Sequence, residues 1–93
     1  MANFDILESV KTSLGLAGND YHDAMLRGYI VEAKRFLVDA GVDSSVVESE
    51  VAAGVIARGV SDLWNYGAGG ASLSPYFFQA AAQLAYRKPG GGA

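Results

Sequence analysis

Four segments of this chain place apolar residues at helical spacing, and no stretch alternates strictly between apolar and polar residues. That spacing predicts amphipathic helices, whereas half-buried strands would require alternation. Gly15 and Gly41 follow the first two segments, and Pro75 opens the last, as is typical of helix ends and of a helix start. A chain of 93 residues has room for one core. We therefore expect an all-α fold, a small domain that resembles a four-helix bundle.

Capping patterns indicate where these helices begin and end. Asp5 with Glu8, and Ser45 with Glu48, have the spacing of capping boxes. Ser74 precedes the proline of the last segment and is the expected N-cap there. The four helices are expected at residues 5–14, 21–40, 45–66 and 75–87.

Glycine-rich stretches mark two segments that we expect to be flexible. Gly67, Gly69 and Gly70 lie in the loop between the third and fourth helices. Three consecutive glycines also occupy most of residues 89–93. Glycine loses more conformational freedom on ordering than any other residue. The expected organisation is a single helical domain over residues 1–88 and a flexible C-terminal tail over residues 89–93.

The second and third helices are expected to carry apolar residues on two faces. The core face of the second helix is expected to hold Met25, Leu26, Tyr29, Ile30, Ala33, Phe36, Leu37 and Ala40. Smaller residues line its opposite face, and valines at i, i+4 and i+8 follow a second line on the third helix. One small core cannot cover all of this surface, so we expect a second subunit to do so. The candidate subunit-interface residues are Ala24, Gly28, Val31, Val38, Val47, Val51, Val55 and Arg58.

A monomeric alternative stays open for these outer rows. The first or the fourth helix could cover either row within the same chain. Isolated valines and alanines are also common on outer faces, because more than half of a folded protein's surface is apolar. The sequence leaves these alternatives side by side.

Composition argues against several classes of protein. Ten acidic and seven basic residues give a net charge of −3, which disfavours tight binding along a phosphate backbone. No apolar run approaches the roughly 18–20 residues that span a bilayer, and no basic region followed by an apolar block opens the chain. The chain has no cysteine, which excludes disulfides and thiolate metal sites. We expect cytoplasmic synthesis and no membrane partner.

The titratable residues do not form a recognisable catalytic or metal-binding pattern. His22 has no second histidine or cysteine with which to share a metal, and is expected at the surface. Asp20 and Asp23 are expected to accept backbone N–H groups at the start of the second helix rather than to bind a metal. Arg27 and Arg35 each have an aspartate four residues away, the spacing of helical ion pairs. We expect no enzymatic activity, no metal and no cofactor.

Aromatic residues flank the glycine loop and raise two interpretations. They contact a partner, or they only hold the third helix against the fourth. Trp64 has the helical spacing of a core residue. Arg58 is expected on the extra face of the third helix, where Asp62 four residues later could neutralise it. The candidate loop contacts are Tyr66, Gly67, Gly69, Gly70, Leu73 and Tyr76.

Several short motifs follow one another in a distinctive order. They are Val10-Lys11 with Leu14, Asp20 to Asp23 before Tyr29-Ile30-x-x-Ala33, Val55-Ile56-Ala57-Arg58-Gly59-Val60, Leu63-Trp64-Asn65-Tyr66 and Leu73-Ser74-Pro75. Over about residues 5–87 this order resembles the head–tail connector family of tailed bacteriophages. The Trp-Asn-Tyr sequence, the glycine loop and the Ser-Pro pair are the most distinctive part of the resemblance.

The resemblance implies a structural role in a virus particle. Members of that family are small α-helical proteins that assemble as a ring, usually twelvefold, beneath the portal. They join the capsid vertex to the tail and line the DNA exit channel. For this chain, the resemblance implies self-association, a portal protein and a tail-completion or stopper protein as partners, and DNA that passes without specific binding. The implied location is the head–tail junction of the virion, with the host cytoplasm as the site of assembly.

Two other classes of protein remain as alternatives. A small regulatory adaptor could use the same apolar patches to form a dimer. A helical DNA-binding module would need a recognition helix rich in Arg, Lys, Asn and Gln, and the third and fourth helices have few of these. Oligomeric state and retention on DNA would distinguish the three classes.

Overall fold

The chain forms helices joined by short turns. A computed structural model describes residues 5–67 and 73–86. Within those residues lie five α-helices, one 3₁₀ turn and no strand, so the all-α prediction is confirmed. The elements are α1 (Ile6–Leu14), α2 (Asp23–Asp39), α3 (Ser44–Val47), a 3₁₀ turn (Glu50–Ala52), α4 (Ala53–Tyr66) and α5 (Pro75–Ala85). The predicted tail at residues 89–93, and Gly69 and Gly70 of the predicted loop, lie outside the described residues.

The ends of three helices follow from local sequence. Asp5 is the N-cap of α1, and its carboxylate accepts the N–H groups of Leu7 at 3.0 Å and Glu8 at 3.4 Å. Gly15 and Gly41 follow α1 and α2 with left-handed φ angles of 76° and 98°. A residue without a β-carbon adopts this conformation at no steric cost. Ser74 caps α5 through a 3.3 Å bond from the N–H of Phe77, with Pro75 as the first helical residue.

The third predicted helix is divided into α3, the 3₁₀ turn and α4. Asp43 is the N-cap of α3, because its carboxylate accepts the N–H of Ser45 at 2.9 Å and the Ser45 hydroxyl at 2.7 Å. The predicted capping box of Ser45 with Glu48 is therefore wrong. Ser49 then adopts an extended conformation, and its hydroxyl donates to the Val46 carbonyl at 2.7 Å. A side chain that takes a helical carbonyl competes with the helix, which explains the break.

Helix α4 lies at the centre of the fold, where α1, α2 and α5 all pack against it. Its buried residues include Ile56, Val60 and Leu63. Gly59 permits the closest approach of α5, because a β-carbon there would lie 2.6 Å from Cε1 of Phe77. Three helices therefore cover much of α4 within one subunit.

The core face of α2 is narrower than its sequence predicts. The line that packs inward consists of Leu26, Ile30, Ala33 and Leu37, with Tyr29 and Phe36 half-buried beside it. Met25 is 51% exposed, and Ala40 follows the helix as an exposed C-cap. The prediction that Met25 and Ala40 belong to the core is wrong. Met25 lies about 100° from Leu26 around the helix axis, outside the line that meets α4.

The molecule is flat, with principal extents of 39 × 37 × 16 Å. The short dimension corresponds to about two layers of helices, since packed helix axes lie roughly 8–10 Å apart. A flat arrangement leaves the outer faces of the helices at the boundary of the molecule. Among the described residues, no helix combines the length and the apolar character needed to cross a bilayer.

Candidate assembly surface

The outer row of α2 is open to solvent. Ala24, Gly28, Val31 and Val38 are all exposed, with values of 67% for Val31 and 49% for Val38. A β-carbon at Gly28 would meet no other atom within 4 Å. The structure therefore places the four predicted α2 residues together on an uncovered face.

The predicted valine row of the third helix does not exist as one line. Val47 is 2% exposed and belongs to the core, and Val55 is half-buried against it. Val51 alone stays open, at 49% exposure. The prediction assumed one continuous helix, whereas the break at Ser49 changes the direction in which the following residues point. Val47 is thus covered by its own chain and is not available to a partner.

Arg58 connects the middle of α4 to the start of α5. Its Nε lies 3.6 Å from Oδ1 of Asp62, and its guanidinium carbon lies 5.0 Å from the ring centre of Tyr76. Asp62 is 5% exposed, and its Oδ2 accepts the N–H of Ser74 at 2.9 Å. Arg58 is therefore neutralised by Asp62, the alternative that the sequence left open, while about half of its side chain remains exposed.

The candidate loop contacts divide into exposed and buried residues. Tyr66 is 75% exposed and Tyr76 is 62% exposed, and Gly67 ends α4 with a φ angle of 97°. Leu73 is 5% exposed and belongs to the core cluster. Leu73 therefore anchors the loop to its own subunit, so its predicted role as a partner contact is wrong.

A buried lysine, which the sequence patterns did not predict, joins α1 to the start of α2. Only 1% of the Lys11 side chain is exposed, and its Nζ lies 2.8 Å from Asp20 Oδ1, 3.0 Å from Asp23 Oδ1 and 3.9 Å from Glu8 Oε2. The Asp23 oxygen makes no hydrogen bond of good geometry, so its contact with Lys11 is one of charge. The expected capping roles of Asp20 and Asp23 are wrong, since both carboxylates pair with Lys11. The available signal was the position of Lys11 four residues after Leu7, inside an apolar stripe.

Protonation equilibria in this cluster favour the ion pairs. The hydrogen bond to Asp20, followed by the contact with Asp23, raises the pKa of Lys11 well above its ordinary value of 10.5, while burial opposes the shift. The same hydrogen bond and the charge of Lys11 lower the pKa of Asp20 below its ordinary value of 3.8. Lys11 and Asp20 thus both stay charged through the neutral range.

His22 is not an isolated surface histidine. Its ring packs edge-on against Trp64 of α4, with 4.9 Å between ring centroids, and Tyr21 lies at the same distance on its other side. Trp64 is half-buried against the core. His22 therefore helps to pack the α1–α2 connection against α4.

The basic residues of α2 do not pair as their spacing predicts. Asp23 contacts Lys11 rather than Arg27, and among the described residues Arg35 makes no ion pair with Asp39. Both predicted helical pairs are wrong, because spacing on one helix ignores competing partners from its neighbours. Lys34 instead bonds at 2.8 Å to Glu48, the residue that follows α3.

An open cleft of about 300 Å³ lies between the start of α1 and α2. Its lining residues, which define the α1–α2 cleft, are Asp5, Ile6, Leu7, Arg27, Ile30, Val31 and Lys34. The floor is apolar and the rim is charged. Sequence patterns on single helices could not reveal it, because two helices contribute its walls.

Within residues 5–67 and 73–86, no group of three or more His, Asp or Glu side chains is placed to hold a metal ion. The acidic residues that do converge surround an ammonium group, that of Lys11. No protein-family model, no curated protein and no solved structure matches this chain. Its function is therefore inferred from its own residues and from the order of its motifs.

Proposed function

We propose that this protein is a head–tail connector subunit of a tailed bacteriophage or prophage. It forms a ring beneath the portal, joins the capsid to the tail and lines the channel through which DNA leaves. The observation that carries the proposal is the open apolar row of α2, in which Val31 is 67% exposed. The ring sits at the head–tail junction of the virion, and its subunits assemble there from the host cytoplasm.

Exposed apolar surface supports self-association. An uncovered apolar patch on a small helical protein marks a surface that another molecule covers. A ring also needs two different patches on each subunit, since a head-to-tail contact closes by rotation. Val51 at 49% exposure and Tyr66 at 75% offer apolar surface on other elements. The subunit thus carries more than one candidate contact.

The order of the motifs supports the same proposal. The Trp-Asn-Tyr sequence ends α4, and the Ser-Pro pair starts α5 after the glycine segment. A four-helix-bundle-like arrangement of α1, α2, α4 and α5, with a flexible glycine loop before α5, belongs to the proposal. In it, the portal protein lies on one side of the ring and a tail-completion or stopper protein on the other.

Charge distribution suits a channel through which DNA slides. Helix α5 contains no charged residue between Pro75 and Ala85. The one basic residue of α4, Arg58, is paired with Asp62. A basic lumen would hold phosphates through counterion release, whereas a neutral or acidic one would not. The same features disfavour a DNA-binding module.

Native mass spectrometry and negative-stain electron microscopy over a range of protein concentrations test the proposal. We expect closed rings, twelvefold in the particle, that accumulate with concentration. Val31→Asp should reduce ring formation, because it places a carboxylate in the contact. Far-ultraviolet circular dichroism should remain unchanged, since Val31 is exposed in the subunit.

Thr12→Asp is the matched control, because it adds the same charge at an exposed position of α1. It should assemble as the wild type does. A stable dimer at every concentration would instead favour the regulatory adaptor. Rings formed equally well by Val31→Asp would exclude the α2 row as the contact. The proposal also predicts that portal, protease and major capsid genes lie upstream of this gene in the genome.

A further inference from the structure

The α1–α2 cleft has one uncommitted charge. Lys34 is bonded to Glu48 at 2.8 Å, and Asp5 caps α1. Arg27 makes no ion pair among the described residues. The group that best fits this cleft is therefore an apolar side chain next to a carboxylate.

The shape of the cleft favours a protein partner over a small molecule. Val31 lies at its edge and is 67% exposed, so the cleft is wide open on that side. Small-molecule sites enclose roughly 70–90% of the ligand surface. An open apolar depression with a charged rim instead suits a side chain projecting from another protein surface.

The 3₁₀ turn carries such a side chain. Val51 is 49% exposed, and the preceding Glu50 is exposed and makes no ion pair among the described residues. Ala52 is fully buried, which anchors the turn to the core. Glu50 and Val51 together therefore form an acidic and apolar knob on a fixed support.

Other pairs of an acid with an exposed apolar residue are less suitable. Asp20 precedes the exposed Tyr21, but its carboxylate is bonded to Lys11. Asp39 follows the exposed Val38, but both lie on α2, the helix that itself forms one wall of the cleft. Glu50 has no basic residue three or four positions away. Its charge remains available to a partner.

We propose that Glu50 and Val51 of one copy dock in the α1–α2 cleft of the next copy. Val51 packs over Ile30 and Val31, and the Glu50 carboxylate pairs with Arg27. This inference rests on the proposed function, since it specifies the contact between neighbours in the ring. Cleft and knob are different surfaces, so each copy offers both, and the contact repeats head to tail until the ring closes.

Disulfide trapping tests the contact directly, because the chain has no cysteine of its own. Val31→Cys and Val51→Cys are prepared as separate variants of the full chain, mixed and mildly oxidised. We expect a covalent heterodimer in the mixture, well above the homodimers that each variant gives alone. Ala17→Cys, at an exposed loop position, should not pair with Val51→Cys. Oxidation also captures transient contacts, so absence of the heterodimer overturns the contact even for a weakly associating protein.

Charge reversal tests how much the pairing of Glu50 with Arg27 contributes to association. Arg27→Glu and Glu50→Arg should each weaken association by about tenfold or more, because like charges then face each other. The double variant should recover most of the lost affinity. Arg35→Glu makes the same change outside the cleft and should have little effect. If rings form but the cysteine variants give no heterodimer and the double charge variant recovers no affinity, this contact alone is overturned. A stable dimer, or retention on DNA, would instead overturn the proposed function.

Discussion

At the scale of single residues, Lys11 is a charged side chain that the structure buries. Its ammonium group is almost completely enclosed, and it contacts carboxylates of Asp20 and Asp23 at 2.8 and 3.0 Å. A buried charge is tolerated only when it is paired. Lys11 therefore holds the α1–α2 connection in place by charge as well as by packing.

Replacement of Lys11 by methionine should lower the Tm clearly. The apolar stem is conserved, but Asp23 keeps a buried oxygen that no longer faces a positive charge. Lys34→Met is the matched control, because its partner Glu48 is 65% exposed and such pairs contribute little. Thermal unfolding followed by circular dichroism measures both. Equal losses would mean that the enclosed pair contributes no more than the surface pair.

Acid should remove part of this stabilisation. The folded-state pKa of Asp20 is lowered, so its contribution is present above its ordinary value of 3.8 and is lost as the pH falls through the lower folded-state value. The pKa of Lys11 is raised, so its contribution is present below 10.5 and is lost only as the pH rises through the higher folded-state value. The pair of Lys11 and Asp20 therefore contributes fully between these two ordinary values.

Urea unfolding at several pH values tests the expected loss of stability in acid. The free energy of unfolding of Asp20→Asn should fall less below pH 3.8 than that of the wild type. Added salt should reduce the difference, since Asp20 is largely exposed. The lowered pKa of Asp43, caused by its bonds from Ser45, acts in both proteins and cancels. Identical pH profiles would contradict the assignment.

At the scale of elements, the junction of α2, α4 and α5 depends on one missing side chain. A β-carbon at Gly59 would lie 2.6 Å and 2.9 Å from ring atoms of Phe77 and 3.3 Å from Cβ of Ala33. Phe77 is completely buried, so its ring cannot move aside into solvent. Glycine at this position sets how closely α4 and α5 approach.

Gly59→Ala should therefore destabilise the protein, by about 1–3 kcal/mol, as overpacking of a core does. Gly28→Ala, in the middle of α2, should have the opposite effect, because a β-carbon there meets no other atom within 4 Å. It should stabilise the subunit by up to about 1 kcal/mol through helix propensity. Urea denaturation of the two variants measures the contrast. A Gly59→Ala variant more stable than the wild type would show that the Phe77 ring can move aside.

The division of the third predicted helix shows that sequence patterns do not always predict where a helix begins and ends. Ser45 with Glu48 has the spacing of a capping box, yet Asp43 is the cap and Glu48 binds Lys34. Ser49 then breaks the helix by bonding to a carbonyl in the preceding turn. These outcomes depend on which of several nearby partners a polar side chain reaches, and spacing alone does not decide that.

At the scale of the whole molecule, the flat shape and the net charge of −3 set how it meets other molecules. A slab of about two helical layers exposes both of its broad sides, and the residues of the α2 row are exposed. An acidic net charge disfavours the binding of nucleic acid by charge alone. Both properties are compatible with the proposed ring of subunits around passing DNA.

Electrophoretic mobility shift at physiological salt should show no retention of duplex DNA. Combined Gln79→Lys and Gln83→Lys substitutions place two positive charges on the exposed side of α5. They should produce weak binding that disappears as salt rises, because it depends on counterion release. Strong binding by the wild type would instead support the DNA-binding alternative.

The amino-acid sequence alone determined the all-α class, the N-cap at Asp5 and the helix ends at Gly15 and Gly41. These features depend on residues within one or two helical turns. Only the tertiary structure decided that Lys11 is buried and that Val47 belongs to the core. It also created the α1–α2 cleft, whose walls come from two helices. The reason is that a helical pattern records which residues share a face, whereas the neighbour that covers that face is chosen by how the helices pack.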